Sequence, residues 1–216
     1  MAVPIRHISN EITSGVLHLI GAVLGIAVLV LLIIFASIYG TAWHVVGFTI
    51  YGSFMVILYV ISSVYHFIRY TLEKAKDIFQ RLDHAVVYFF IAATYTPVCF
   101  LILNGLSQWF IFFTLWTMAL IGSTIKLLKI KTHFLLPVTL YLVMGWIIIL
   151  FIETLLIKMS TVAFILLLTG GICYTLGVVF FALESKLTPR KYFWMHEIFH
   201  VFVLAGSTLH TIMMFF

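Results

Sequence analysis

Seven long apolar runs constrain the fold of this chain more than any other feature of its sequence. They lie at roughly 16–36, 45–67, 84–103, 109–128, 134–152, 160–183 and 194–215. Each is close to the length of about 20 residues that an α-helix needs to cross a bilayer. Stretches such as Leu24 to Phe35 and Trp146 to Ile152 are apolar on all sides and lack the alternation of a membrane strand. We therefore predict an all-α membrane protein, folded as a seven-transmembrane helix bundle.

The same pattern predicts a single domain that covers residues 1–216. The connections between the runs are short, and no linker rich in Pro, Gly or Ser separates one part of the chain from another. Hydrophobic residues make up 64% of the chain and charged residues only 9%, a composition outside the range of soluble domains. The chain is thus expected to be a multi-pass protein of a cell membrane.

Basic residues predict how the helices are oriented, because Lys and Arg accumulate on the cytoplasmic side of a membrane. All Lys and Arg residues except Lys158 fall on alternate connections: Arg6, Arg69, Lys74, Lys76, Arg81, Lys126, Lys129, Lys131, Lys186, Arg190 and Lys191. This distribution predicts a cytoplasmic N-terminus and an extracytoplasmic C-terminus. The net charge of +5 reflects this asymmetry. It does not predict nucleic-acid binding, because the basic residues form no shared groove.

Two histidines in the sequence HEIFH predict a metal site. His196 and His200 are four residues apart, so they share one helix face and can reach the same ion. The orientation of the helices places His66, at the end of the second run, at the same depth. Three imidazoles with an open fourth position form a known catalytic zinc set. Zinc is preferred, although iron and manganese also accept these ligands.

Other ionisable residues fall at the same predicted depth. Glu11 and His18 lie at the start of the first helix, and Asp83 and His84 lie at the start of the third. His44 and His210 are predicted at the opposite face. Charged and ionisable residues inside a membrane are costly and usually functional, so their clustering on one side strengthens the prediction of a site there.

Four motifs together give the chain a resemblance to a known family. They are Glu11 through His18 with Gly21, the sequence SSVYH from Ser62 to His66, Asp83-His84 followed by AATYTP at 92–97, and HEIFH followed by Gly206-Ser207 and His210. The chain resembles the hemolysin III family, the bacterial branch of the progestin and adipoQ receptor superfamily. The resemblance implies seven helices in the inner or plasma membrane of a bacterium, with a cytoplasmic N-terminus. It also implies zinc held near the cytoplasmic face by His66, His196 and His200. It also implies that Asp83 contacts the zinc-bound water.

Zinc chemistry and this resemblance suggest hydrolysis of a lipid amide, as in the related ceramidases. Asp83 is the candidate to accept a proton from water. Ser62 lies one turn before His66 on the same face and is the candidate to bind the water or the substrate oxyanion. Membrane lipids, such as a lipid amide or a fatty acid, are the expected partners.

Two other functions remain open at the level of sequence. The first is a non-enzymatic role in membrane homeostasis or sensing, or a cytolytic role, with zinc serving a structural purpose. The second is an intramembrane metalloprotease, because HEIFH also fits the motif H-E-x-x-H, in which Glu197 would be the general base.

Overall fold

The structure is a computed structural model that describes residues 7–133, 135–184, 187–188 and 190–216. The described residues form eight α-helices and one 3₁₀ segment, without any β-strand. In chain order these are α1 (Ile8–Tyr39), α2 (Ala42–Phe67), α3 (Glu73–Leu101), α4 (Gly105–Leu127), α5 (Leu135–Trp146), the 3₁₀ segment (Ile147–Phe151), α6 (Ile152–Lys158), α7 (Thr161–Glu184) and α8 (Met195–Met213).

Six helical segments within the described residues are long and apolar enough to cross a membrane. They are α1, α2, α3, α4, the segment Leu135–Lys158 and α7. The prediction of an all-helical membrane protein is confirmed. The seventh predicted run corresponds to α8, which contains three histidines and Glu197 and is not among the six.

Two helices begin well before the apolar runs that predicted them. Helix α1 starts at Ile8 and α3 starts at Glu73, so their first turns carry Glu11, Lys76 and other polar residues. The sequence had placed Lys76 in a connection, whereas the structure buries it in α3. These turns remain helical because their polar side chains find partners on neighbouring helices, which an apolar run cannot indicate.

The fifth predicted span is interrupted near its middle. Residues Ile147–Phe151 form a 3₁₀ segment between α5 and α6, and the span extends to Lys158 rather than ending near 152. The hydroxyl of Tyr95 on α3 donates a hydrogen bond to the carbonyl oxygen of Gly145, just before this segment. A side chain bound to a helix carbonyl competes with the regular α-helical bonding there.

Close packing brings α1, α2 and α8 together. A Cβ atom at Gly52 of α2 would lie 2.7 Å from Cδ1 of Leu29 and 3.1 Å from its Cα on α1. At Gly21 of α1, a Cβ would lie 2.8 Å from Cδ2 of Leu204 on α8. Small residues allow such approaches between membrane helices. The start of α1, the end of α2 and the starts of α3 and α8 thereby meet at one end of the bundle.

The predicted orientation of the chain in the membrane remains a prediction. Of the basic residues on which it depends, Arg6 and Lys186 lie outside the described residues. Arg81 and Lys129 both pair with Asp77, at 3.0 Å and 2.9 Å. The pair with Arg81 lies within α3, whereas the pair with Lys129 connects the start of α3 with the residues that follow α4.

Candidate metal centre

The three histidines predicted as ligands lie together at one end of the bundle. His66 comes from the last turn of α2, and His196 and His200 come from the first turns of α8. One ring nitrogen from each lies within 4.8 Å of those of the other two, and all three residues are buried. Their ring centroids are 4.6 to 5.2 Å apart. This arrangement can place three imidazole nitrogens around one ion.

His66 is oriented by a carboxylate on α1. Its Nδ1 donates a hydrogen bond to Oε2 of Glu11 at 3.2 Å. The same carboxylate accepts hydrogen bonds from Lys76 Nζ at 2.6 Å and from the Tyr70 hydroxyl at 3.1 Å. Lys76 also donates to the carbonyl oxygen of Tyr65 at 2.8 Å. With Nδ1 protonated, the lone pair of neutral His66 is on Nε2.

His196 has an equivalent partner on α7. Its Nδ1 donates to Oε2 of Glu184 at 2.8 Å. Metal-binding histidines almost always donate their second ring nitrogen to a carboxylate, a carbonyl or water, which fixes the tautomer and the ring orientation. Two of the three candidate ligands therefore carry the partner that a metal site requires, and each pair joins two helices.

His200 is held by ring stacking. The ring of His18 on α1 lies parallel to it, with centroids 3.7 Å apart and planes inclined by 13°. His18 also contacts the ring of Tyr59 on α2 edge to face, with ring centroids 5.1 Å apart. His18 is thus fixed between α8 and α2, next to the three candidate ligands.

A cavity of about 190 Å³ opens beside the histidines. His18, His196 and His200 line it, together with Asp83 from α3 and Ser62 from α2. The remaining wall is mostly apolar and continues between α3, α5, α7 and α8. The structure thus places both predicted catalytic residues, Asp83 and Ser62, on the same cavity as two candidate ligands.

Glu197 faces α1, where donors surround its carboxylate. Its Oε2 accepts hydrogen bonds from Asn10 Nδ2 at 2.9 Å and from the backbone N–H of Trp194 at 2.7 Å. Its Oε1 accepts a hydrogen bond from the Ser14 hydroxyl at 2.9 Å. The residue is fully buried. This carboxylate caps the N-terminus of α8 and joins it to α1.

The other histidines have different surroundings. The partly buried His44 accepts a hydrogen bond from the Thr41 backbone N–H at 3.1 Å, in the first turn of α2. His210 donates from Nε2 to the carbonyl oxygen of Leu167 at 3.1 Å. His84 lines the cavity, and its ring contacts Phe181. His210 also lines the cavity, ten residues beyond His200 on α8, whereas His84 directly follows Asp83 on α3.

The donor set fits zinc. Neutral imidazoles are preferred zinc ligands, and three of them leave a fourth position available. Cys99 is buried in the core and Cys173 lies on α7. The described residues that could hold a metal are these three histidines alone, so thiolates do not enter the set.

Comparison with known proteins agrees with the motifs in the sequence. Residues 6–211 match the protein family described as haemolysin-III related. This chain belongs to that family. It is 40% identical to the hemolysin-3 homolog of Bacillus subtilis (strain 168) over 200 residues, which cover 93% of this chain and 90% of the relative. It is 39% identical to hemolysin-3 of Bacillus cereus over 211 residues, which cover 98% and 91%.

The chain is also similar to an animal protein. The chain is 30% identical to the human monocyte to macrophage differentiation factor over 177 residues, which cover 78% of this chain and 68% of the relative. Membership in the haemolysin-III-related family and the six apolar helices together make the chain an integral multi-pass membrane protein.

Several residues around this haemolysin-III-related site were not identified from the sequence. Glu184 directly follows the apolar run 160–183, and nothing in the sequence indicates that it contacts His196. The sequence likewise does not assign a role to Glu11. His18 was placed at the right depth without a contact. A Glu within two turns of a helix end, at the depth of the histidines, is the signal that could have identified Glu184.

Proposed function

We propose that this protein is a zinc-dependent hydrolase of lipid amides. The observation that supports it most is the shared cavity, which brings His196 and His200 together with Asp83 and Ser62. A ring nitrogen of His66 lies within 4.8 Å of those of His196 and His200. A structural metal site needs no open cavity beside it, whereas a catalytic one requires room for substrate and water.

The proposed reaction adds water across the amide bond. His66, His196 and His200 would hold the zinc ion, which would supply Lewis acidity and lower the pKa of water at neutral pH. Asp83 accepts a proton from the water as it attacks the carbonyl carbon. The Ser62 hydroxyl donates a hydrogen bond to the carbonyl oxygen, where negative charge develops. Asp83 then transfers the proton to the leaving nitrogen as the C–N bond breaks, which releases a fatty acid and an amine.

The apolar part of the cavity supports a lipid substrate. Its wall includes Leu58 of α2, Phe90 of α3 and Val203 of α8. Ligand pockets are typically apolar, with a few polar groups that fix orientation. Membrane lipids with an acyl chain are therefore the proposed partners, with the chain along the apolar wall and the amide at the polar end.

The proposal includes a seventh span and a single domain over residues 1–216. Helix α8 has 19 residues, which corresponds to about 28 Å at 1.5 Å per residue, close to the thickness of the hydrocarbon core. It packs against α7 and α1. With seven spans and basic loops inside, the N-terminus is cytoplasmic. A reporter active only outside the cytoplasm, fused after Phe216, is expected to be active; an inactive reporter would contradict this orientation.

The experiment that tests the hydrolase combines metal content with turnover. Detergent-purified protein loaded with zinc is incubated with ceramides, other lipid amides and phospholipids, and released fatty acid is quantified by mass spectrometry. The variant Asp83→Asn is expected to keep the metal and to lose roughly 10²- to 10⁴-fold in rate, the usual contribution of a general base. Absence of turnover by the metal-loaded wild type across the panel would overturn the hydrolase.

A second candidate is a protein of membrane homeostasis or cytolysis in which zinc is structural. Its support is that the candidate ligands come from α2 and α8, so one ion would tie two helices together. The names of the two Bacillus relatives also point to cytolysis. In that case Asp83 would bind the metal directly, and Asp83→Asn would lower the metal content.

The intramembrane metalloprotease is disfavoured by the contacts of Glu197. A general base must reach water at the metal, but this carboxylate accepts hydrogen bonds from Asn10, Ser14 and the Trp194 backbone. It is engaged on the α1 side of α8.

A further inference from the structure

His18 has a property that the proposed reaction leaves unexplained. Both of its ring nitrogens are buried, and neither has a hydrogen-bond partner within the described part of the chain. The residue is 3% exposed and lines the cavity. A neutral imidazole carries one donor and one acceptor, and buried polar groups are rarely left without partners. A ligand in the cavity is the natural partner.

Stacking prevents His18 from serving as a fourth ligand to the same ion. The lone pair of an imidazole nitrogen lies in the ring plane, and the rings of His18 and His200 are nearly parallel at 3.7 Å. An ion about 2.0–2.1 Å from a nitrogen of His200, along its lone pair, lies well outside the plane of His18. The His18 nitrogens therefore remain available to another molecule.

The orientation of His18 is fixed from both sides. His200 stacks on one face, and the Tyr59 ring contacts it edge to face at 5.1 Å. Tyr59 is itself held by a hydrogen bond between its hydroxyl and that of Ser207. A ring fixed in this way presents its donor in one direction, which preorganises it for binding.

Ser62 shares the same condition. Its hydroxyl is buried, has no hydrogen-bond partner among the described residues and lies on the same cavity. We propose that His18 and Ser62 are two donors for one carbonyl oxygen, so that His18 contacts the substrate directly and selects lipids that carry an amide carbonyl. This inference rests on the proposed function for the chemistry of the ligand, but it concerns binding and is tested by binding.

The test measures the affinity of two matched probes for zinc-loaded protein in nanodiscs. Tritiated N-methylpalmitamide carries the carbonyl, and tritiated hexadecane lacks it. The variant His18→Phe keeps a flat ring against His200 and removes both nitrogens. We expect its affinity for the amide to fall roughly five- to tenfold, the effect of one lost hydrogen bond, while hexadecane affinity and metal content stay unchanged.

Two variants sharpen the result. His18→Gln keeps an N–H donor and is expected to retain a preference for the amide over hexadecane, which also answers the question if His18→Phe fails to fold. His44→Phe changes a partly buried histidine that does not line the cavity and should bind both probes as the wild type does.

Several outcomes would overturn the inference. One is unchanged amide affinity in His18→Phe, and another is an equal loss for both probes, which would indicate a purely steric role. Loss of zinc in His18→Phe would make His18 a ligand, and failure of the wild type to bind the amide would remove the site.

Amide binding through His18 without any fatty acid release would refute only the hydrolase. Hydrolysis with unchanged binding in His18→Phe would refute only this inference.

Discussion

The two halves of α8 both place histidine inside the bundle, but they surround it differently. In the first half, His196 donates to the carboxylate of Glu184 and His200 stacks on His18. In the second half, His210 donates to a backbone carbonyl, that of Leu167. The first half also faces His66 across the bundle, whereas the second half faces hydroxyl groups.

Hydroxyl groups from α2 and from the second half of α8 form a small hydrogen-bond network. Tyr51 donates to the carbonyl oxygen of Ser207 at 2.9 Å and lies 3.0 Å from the Thr211 hydroxyl. Tyr59 binds the Ser207 hydroxyl. These are neutral partners that satisfy one another. The contrast teaches that the hydrogen-bond acceptor behind a buried histidine does not by itself identify a ligand, since metal-binding histidines donate to carbonyls as well as to carboxylates. What distinguishes His196 and His200 is that their ring nitrogens lie with one of His66 within reach of a single ion.

The largest expected effect is a difference in zinc content between variants of the first and second halves of α8. His200→Ala removes a candidate ligand and is expected to lose the bound zinc, because two imidazoles do not complete the set. His210→Ala, the same substitution on the same helix, is expected to keep about one zinc per chain. Inductively coupled plasma mass spectrometry of purified protein measures both. Zinc retained in His200→Ala, or lost in His210→Ala, would break the comparison.

A smaller effect concerns the carboxylates behind the ligands. Glu184→Ala and Glu11→Ala are expected to lower zinc affinity 10- to 100-fold, the usual cost of removing the partner of a metal-binding histidine. A chelator competition titration measures the change. Glu73→Ala, which alters an exposed glutamate at the start of α3, serves as the control. Unchanged affinity in both test variants would show that the carboxylates do not orient the ligands.

The sequence was sufficient for the all-helical membrane fold and for the cluster of three histidines. Hydropathy predicts spans because a backbone in hydrocarbon must satisfy its own hydrogen bonds. The spacing of His196 and His200 and the depth of His66 predicted the cluster, because depth follows from the direction in which each helix runs.

The partners of the ligands could not be predicted in the same way. Depth does not specify rotation about a helix axis or which helices are neighbours, and these decide that Glu184 meets His196 and Glu11 meets His66. The early starts of α1 and α3 escaped prediction for the same reason, since polar turns such as the one with Lys76 are stabilised by contacts between helices.

An intermediate effect distinguishes Glu197 from the carboxylates behind the ligands. Glu197→Gln is expected to keep zinc and to lower the free energy of unfolding by about 2 kcal/mol. The reason is that the buried carboxylate of Glu197 accepts three hydrogen bonds, which an amide cannot all accept. Reversible unfolding in mixed detergent micelles measures it, with Glu153→Gln on the exposed surface as the control. If Glu197→Gln lost hydrolytic activity while its free energy of unfolding stayed unchanged, that result would instead favour the protease, in which Glu197 is the general base.

The smallest effect belongs to the second half of α8. Tyr51→Phe removes a hydroxyl that joins α2 to Ser207 and Thr211, and we expect it to lower the free energy of unfolding by about 1 kcal/mol, the scale of one hydrogen bond between membrane helices. Zinc affinity should stay unchanged, because this network does not contact the candidate ligands. Tyr39→Phe, at an exposed position, is the control. A loss of zinc affinity in Tyr51→Phe would show that the two halves of α8 are coupled.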